Sequence, residues 1–182
     1  MDKVILVNRQ DEVIGAANKL EAHQQGLLHR AFSVFVYRKL GNKIEILLQQ
    51  RHPEKYHSGG LWTNTCCSHP LPNEDIRDAA IRRLQEEMGI TTDLREIGVF
   101  QYKAQVGNNL IENEIDHVFI GEINDDIINI KYNSEEIIDY KWIEISELKK
   151  NILNNPHQYT AWLLQALEIV IKTFHSVIPA AR

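Results

Sequence analysis

Thr63-Asn64-Thr65-Cys66-Cys67-Ser68-His69-Pro70 places a thiol two residues before an imidazole, and Glu112-Asn113-Glu114 places two carboxylates two residues apart. In an extended strand, residues i and i+2 point to the same face. Cys67 and His69 therefore address one side of their strand, and Glu112 and Glu114 one side of theirs. Such groups can move protons, ligate a metal, or do both. His23 and His29 bracket Gln24-Gln25-Gly26-Leu27-Leu28 and bring the set to three imidazoles and two carboxylates. That mixed N/O donor set suits Mn, Zn or Fe better than Ca. The competing reading is a solvated acidic strand edge, which Asp116 on the same face would extend. His52, His57, His117, His157 and His175 stand in weaker settings and are set aside.

A second set suits an anion: Arg51, Lys55, Arg82, Arg83, Glu86 and Glu87. Arg83 and Glu87 share a helix face at i, i+4 spacing. They read either as a surface ion pair or as a phosphate ligand beside a carboxylate that holds Mg²⁺. Tyr102, Trp62 and Trp162 form a third, aromatic set, fit for core packing or for facing a cation. The two cysteines are adjacent, so a disulfide between them is strained. Cys66 faces away from Cys67 and reads as packing.

The elements that must position these groups follow from pattern. Residues 3–8 read as a strand, with a turn near Asp11 and Gly15. Residues 28–38 and 43–51 read as strands of a hairpin through Gly41-Asn42, and 52–60 as a loop. Residues 74–88 are the clearest helix, capped by Asn73, striped with Ile76, Ala80, Leu84 and Met88, and stopped by Gly89. Strands are expected near 94–105, 115–123 and 137–143, a short helix at 146–150, and a final helix over 157–175. Strands, a helix, strands and then helices imply an α+β mixed-sheet sandwich flanked by helices, in one domain spanning 1–182.

The net charge of −5, with no long basic run, argues against a nucleic-acid partner. No apolar run is long enough to span a bilayer, and the N-terminus does not read as a signal peptide. A cytoplasmic protein is expected, monomeric or weakly homodimeric, with a small-molecule partner.

Glu74…Ala80-Ile81-Arg82-Arg83-Leu84-Gln85-Glu86-Glu87-Met88-Gly89-Ile90 resembles the Nudix box, G-x5-E-x7-R-E-U-x-E-E-x-G-U. Ser68 stands at the box's first Gly, and Arg83 at the acidic residue after its Arg. That acidic residue helps Nudix hydrolases bind the metals that activate water, so Arg83 argues for gripping a diphosphate and against hydrolysing one. Together with Trp62-Thr63-Asn64-Thr65-Cys66-Cys67-Ser68-His69-Pro70 and Glu112-Asn113-Glu114, the chain is similar to the type 1 isopentenyl-diphosphate Δ-isomerases from about Lys19 to Trp162. The resemblance implies interconversion of isopentenyl and dimethylallyl diphosphate through a tertiary carbocation. It implies Cys67 and Glu114 as paired acid/base groups, with Tyr102 supporting proton transfer. His23, His29, His69, Glu112 and Glu114 would hold a divalent metal, Mn²⁺ or Zn²⁺. Glu87 and the Cys67 carbonyl would hold Mg²⁺ on the diphosphate. Lys19, Arg51, Lys55 and Arg83 would bind the diphosphate, and Trp162 would cover the cation. The alternatives are a Nudix-type nucleoside-diphosphate hydrolase and a non-enzymatic metal-binding module.

Overall fold

Strand β3, His29–Leu40, is the spine of the molecule. The computed structural model describes residues 3–107, 109–124 and 130–177. β3 is buried on both faces over most of its length, which is why its sequence reads as an almost unbroken apolar run. Along one edge runs β8, Ile111–Glu122, parallel to it from the His29–Glu114 rung to the Tyr37–Glu122 rung. β7, Arg95–Gln105, pairs antiparallel with β8. The other edge of β3 is shared. β4, Lys43–Arg51, takes its far half through the Gly41 turn, and β6, Cys66–Ser68, takes its near half. β4 also carries β5, Trp62–Thr63, and β9, Ile137–Glu144. The hairpin of β1, Lys3–Val7, and β2, Val13–Asn18, joins at the Leu6–His29 rung. Together these form one mixed sheet of nine strands.

Alternate β3 side chains feed two cores. Phe32, Val34 and Val36 pack with Leu47, Cys66 and the apolar stripe Ala80, Leu84 and Met88 of α2, Ile76–Met88. Phe35 and Tyr37 pack on the opposite face with Leu148 of α3, Ile145–Asn154, and Leu163, Leu167 and Val170 of α4, Leu163–Val177. The α+β sandwich expected from element order is therefore observed. No helix among the described residues is long and apolar enough to cross a membrane.

Several boundaries differ from the sequence reading, each for a local reason. α2 begins at Ile76, because Asp75 and not Asn73 is its N-cap, accepting from the amides of Arg77 and Asp78. Asn73 adopts φ +68 in the preceding turn. The last helix begins at Leu163 and not at 157: Pro156–Gln158 is a short 3-10 turn, and Thr160 then donates its amide to the Trp62 carbonyl. α3 starts at Ile145, where Glu144 caps it through the amides of Ser146 and Glu147, and runs on to Asn154. β8 starts at 111 and not 115. The turn of the first hairpin lies at Asn8–Glu12, with Asp11 at φ +61, and Gly15 sits inside β2.

One helix had no counterpart in the sequence reading: α1, Lys19–Gln25. Asn18 caps its start by accepting from the Leu20 amide, and Gly26 ends it in the left-handed conformation, φ +62. Asn113 donates to the Gly26 carbonyl at 2.9 Å, which ties this turn to β8. Seven residues give too short a period to announce a helix, yet α1 carries His23 and Lys19 to the site.

Candidate active site

Sheet register builds the first part of the site. Glu114 on β8 has His29 as its neighbour on β3 and Tyr102 as its neighbour on β7, so the three stand in one row. β6 brings Cys67 opposite Ser33 of β3. The extended backbone of β6 turns the Cys66 side chain into the α2 core, while Cys67 and His69 line a common cavity. Ser68 is extended and not among the residues with positive φ, so a side chain at the box's glycine position meets no backbone penalty. The cavity is also lined by Arg51, Glu87, Tyr102, Glu112, Glu114 and Trp162. Trp62 is not in that lining; its ring packs under the Lys141 ammonium, 3.9 Å from the ring centre.

One donor atom from each of His23, His29, His69, Glu112 and Glu114 falls within 4.8 Å of every other. The hydrogen bonds behind these rings aim them. His23 Nδ1 donates to the Lys19 carbonyl at 2.6 Å, and His29 Nδ1 donates to the Leu27 carbonyl at 2.8 Å. With Nδ1 holding the proton, a neutral imidazole presents the Nε2 lone pair. His23 Nε2 then faces Glu112 Oε2 at 3.1 Å, and His29 Nε2 faces Glu114 Oε1 at 3.3 Å. His29 Nε2 and His69 Nδ1 are buried with no hydrogen-bond partner. Lone pairs converging on carboxylate oxygens repel unless a proton or a cation lies between them, so the donor set fits a divalent metal.

The electrostatics divide these groups. Burial pushes His69 down to about 4, so it stays neutral. Burial also opposes charge on His29, but Glu114 outweighs it and holds this imidazole above its ordinary value. Burial and the neighbouring Glu114 charge push Glu112 upward, yet His23 and His57 bring it below the usual range. Burial raises Glu114 as well, but His29 and His69 overcome it and hold the carboxyl well below the usual range. Asp116, two residues along, is driven well above that range by burial and the Glu114 charge. Its Oδ2 accepts from Ser33 at 2.8 Å.

Glu114 faces two ways. Its Oε1 accepts from His69 at 2.7 Å, and its Oε2 accepts from the Tyr102 hydroxyl at 2.5 Å. Burial keeps that phenol protonated, hence a donor. Across the cavity, burial pushes the Cys67 thiol up to about 12, although Arg51 Nη1 lies 3.6 Å from its sulfur and favours the thiolate. Cys67 therefore rests as a thiol. Alkylation of metal-free protein by iodoacetamide should accordingly rise about tenfold per pH unit up to pH 10, since only thiolate reacts. A plateau in the Cys67 rate near pH 8.5 would contradict this thiol environment.

α2 carries the charged side of the site. Arg82 grips Glu74 through Nε and Nη2 at 2.7 and 2.8 Å, fastening the loop before α2 to the helix. Arg83 donates to Glu87 at 2.6 Å, and Gln49 donates to its other oxygen at 3.0 Å. Glu87 is 4% exposed. Glu136 pairs with both Lys55 and Arg83. Lys19, Lys55, Arg82 and Arg83 all line a groove of about 590 Å³ that adjoins the cavity. Trp162 donates from its indole nitrogen to Asn64 at 3.1 Å, and Asn64 in turn donates to the Cys66 carbonyl at 2.6 Å. The asparagine of the Trp-Thr-Asn run thus fastens the aromatic wall to the strand that bears Cys67. Arg51 lies 5.7 Å from the Trp162 ring centre and extends this wall.

The residues that the resemblance assigns to the site lie in this region; Trp62 and Glu86, singled out with the aromatic and anion sets, do not line it, and Glu86 pairs on the helix surface with Arg82 and Arg83. Two groups were missed. His57, set aside earlier, is buried with Nε2 2.9 Å from Glu112 Oε1. Tyr56 beside it lines the same cavity. Both sit in a loop with no periodicity, so no sequence signal distinguished them from other polar loop residues.

The profile of the NUDIX domain family matches residues 27–163. The sheet, the α2 helix and the site at its edge define a Nudix protein. A MutT protein from Methanosarcina mazei Go1 superposes with a TM-score of 0.64 at 19% identity, covering 81% of this chain and 96% of that one, a likeness of fold alone. Curated relatives lie nearer in sequence. Isopentenyl-diphosphate Delta-isomerase 2 of Aromatoleum aromaticum is 46% identical over 170 residues, 93% of this chain and 87% of its own. Isopentenyl-diphosphate Delta-isomerase of Photobacterium profundum is 46% identical over 177 residues, 96% of this chain and 97% of its own. The chain belongs to the isopentenyl-diphosphate Delta-isomerase family of Nudix proteins.

Proposed function

We propose that this protein interconverts isopentenyl and dimethylallyl diphosphate, with Cys67 and Glu114 as the proton-transfer pair. The observation that carries this reading is the two-sided Glu114, tied to the imidazole cluster through one oxygen and to Tyr102 through the other.

An unactivated alkene is a poor base, and its protonation gives a tertiary cation that water would trap. The chemistry needs an acid and a base on two sides of a shielded pocket. One group protonates C4 of the isopentenyl chain, leaving the cation at C3, and the other removes a proton from C2. The reverse reaction exchanges the roles. Cys67 as a thiol and Glu114 as a carboxylate hold one transferable proton between them, the inventory such a turnover requires. Turnover leaves the pair in the swapped state, so solvent must reset it. Tyr102, hydrogen-bonded to Glu114, orients that carboxylate and offers a relay. Trp162, 3% exposed, supplies a π face for the cation and excludes water.

His23, His29, His69, Glu112 and Glu114 would hold Mn²⁺ or Zn²⁺, and Glu87 with the Cys67 carbonyl would hold Mg²⁺. Bound there, the metals supply fixed positive charge that orders the Glu114 carboxylate and neutralises the diphosphate. Lys19, Arg51, Lys55 and Arg83 clamp the diphosphate, and clamp binding energy positions the alkene. Arg83 at the Nudix acid position favours gripping over hydrolysis, so no phosphate release from nucleoside diphosphates is expected.

The test is incubation with isopentenyl diphosphate in heavy water, followed by NMR. Deuterium should enter the methyl and methylene positions of both isomers. Unlabelled, unconverted substrate would refute the reading. A finer expectation concerns Glu136, which pairs with the Lys55 and Arg83 cations that the diphosphate would meet. Glu136→Gln should tighten inorganic pyrophosphate binding by up to about fivefold, the scale of a part-exposed ion pair. Calorimetry giving weaker binding would assign Glu136 to the clamp itself.

A further inference from the structure

We propose that His57 is a positioning residue for the imidazole–carboxylate metal site, holding one oxygen of Glu112 so that the other faces the ligand histidines. This rests on the reading of His23, His29, His69, Glu112 and Glu114 as a divalent-metal site.

The geometry is specific. His57 Nε2 lies 2.9 Å from Glu112 Oε1, and Glu112 Oε2 faces His23. His57 is not one of the five residues whose donor atoms converge, so it stands behind a ligand and not in the ligand ring. A carboxylate only accepts, which assigns the proton to Nε2. Nδ1 is then an acceptor and meets the Ser58 hydroxyl at 3.1 Å. Both ring nitrogens are thereby used.

The loop is built to present this ring. Arg51 donates from Nη2 to the His57 carbonyl and from Nε to the Ser58 carbonyl, each at 3.2 Å. Ser58 adopts φ +52, and a Cβ at Gly59 would stand 2.3 Å from the Pro53 carbonyl, so the loop closes tightly only with glycine there. The His57 ring also packs edge-on against Tyr56, with centroids 4.4 Å apart.

Glu112 needs such a partner. It is 2% exposed and shares its strand face with Glu114. Without His57, its Oε1 would be a buried oxygen lacking a donor, and the carboxylate would turn away from the orientation the site uses. Partners of this kind typically set metal affinity by about 10–100-fold.

Two substitutions separate donation from packing. His57→Phe keeps the ring and loses the donor. His57→Gln loses the ring and keeps an N–H at similar reach. Mn²⁺ is titrated into chelator-stripped full-length protein, and free Mn²⁺ is read by electron paramagnetic resonance. Wild type should bind one ion at this site, His57→Phe should bind about 10–100-fold more weakly, and His57→Gln should stay within about threefold of wild type. Wild-type binding with His57→Phe unchanged, or with Gln the weaker variant, overturns the inference and leaves the metal reading standing. A wild type that binds no Mn²⁺ overturns both. Should the Phe variant not fold, ¹⁵N-histidine NMR of wild type decides: an Nε2–H tautomer at His57 upholds the inference, and an Nδ1–H tautomer overturns it.

Discussion

Cys67→Ala and Glu114→Gln should each lower kcat for isopentenyl diphosphate isomerisation by about 10⁴-fold, the upper range for loss of a positioned acid or base. The expectation for Cys67 is strong because the groups nearest its sulfur cannot take over its job. Opposite Cys67 stand Arg51, which cannot give up its proton at any working pH, and the Ser33 hydroxyl, whose contact is with Asp116. Glu114→Gln keeps shape and a hydrogen bond to Tyr102 but cannot hold a transferable proton. Neither residue belongs to the cationic clamp, so binding of inorganic pyrophosphate should change little in Cys67→Ala. Separating the two quantities is the point of the experiment: turnover collapses while anion affinity stays. Near-wild-type turnover in either variant would remove that residue from the chemistry. Simultaneous loss of pyrophosphate binding in Cys67→Ala would instead indicate that the β6 strand had moved.

Stripping divalent metals with a strong chelator should abolish activity, and Mg²⁺ together with Mn²⁺ or Zn²⁺ should restore it. The same treatment should lower thermal stability. At a free metal concentration of about 100 times Kd, a site present only in the native state contributes about 2.7 kcal/mol. For a chain of this size that corresponds to a fall of about 5–10 °C in Tm on chelation. The physical cause is the buried cluster itself: with no cation, converging Nε2 lone pairs and carboxylates must be satisfied by protons, as the raised His29 value indicates. Acid should therefore mimic the chelator, because His29, held above its ordinary value by Glu114, takes up a proton in competition with the metal as pH falls. Full activity in demonstrably metal-free protein would overturn the assignment.

How much of this was legible beforehand differs from element to element. Cys67 and His69, and likewise Glu112 and Glu114, were paired by strand period alone; β8 is a strand at both carboxylates, while β6 carries Cys67 and ends at Ser68, one residue before His69. The α2 stripe was legible because four-residue spacing over thirteen residues leaves little ambiguity, although its start shifted to the Asp75 cap. α1 was not, since seven residues carry too little period. The start of α4 was not, since a 3-10 turn and a backbone hydrogen bond from Thr160 interrupt a stretch that is apolar enough to read as helix.

By itself, then, the amino-acid order determined the α+β class, the groups able to ligate or move protons, and the placing of Arg83 where the Nudix box carries an acid. Those features depend on neighbours in the chain, where periodicity and caps operate. Tertiary structure alone decided that Glu114 would stand between His29 and Tyr102, that Asn64 would anchor Trp162, that Glu136 would answer Lys55 and Arg83, and that His57 would reach Glu112. Each of these joins residues far apart in sequence through sheet register or loop closure, and no local pattern encodes which rung of one strand meets which rung of another.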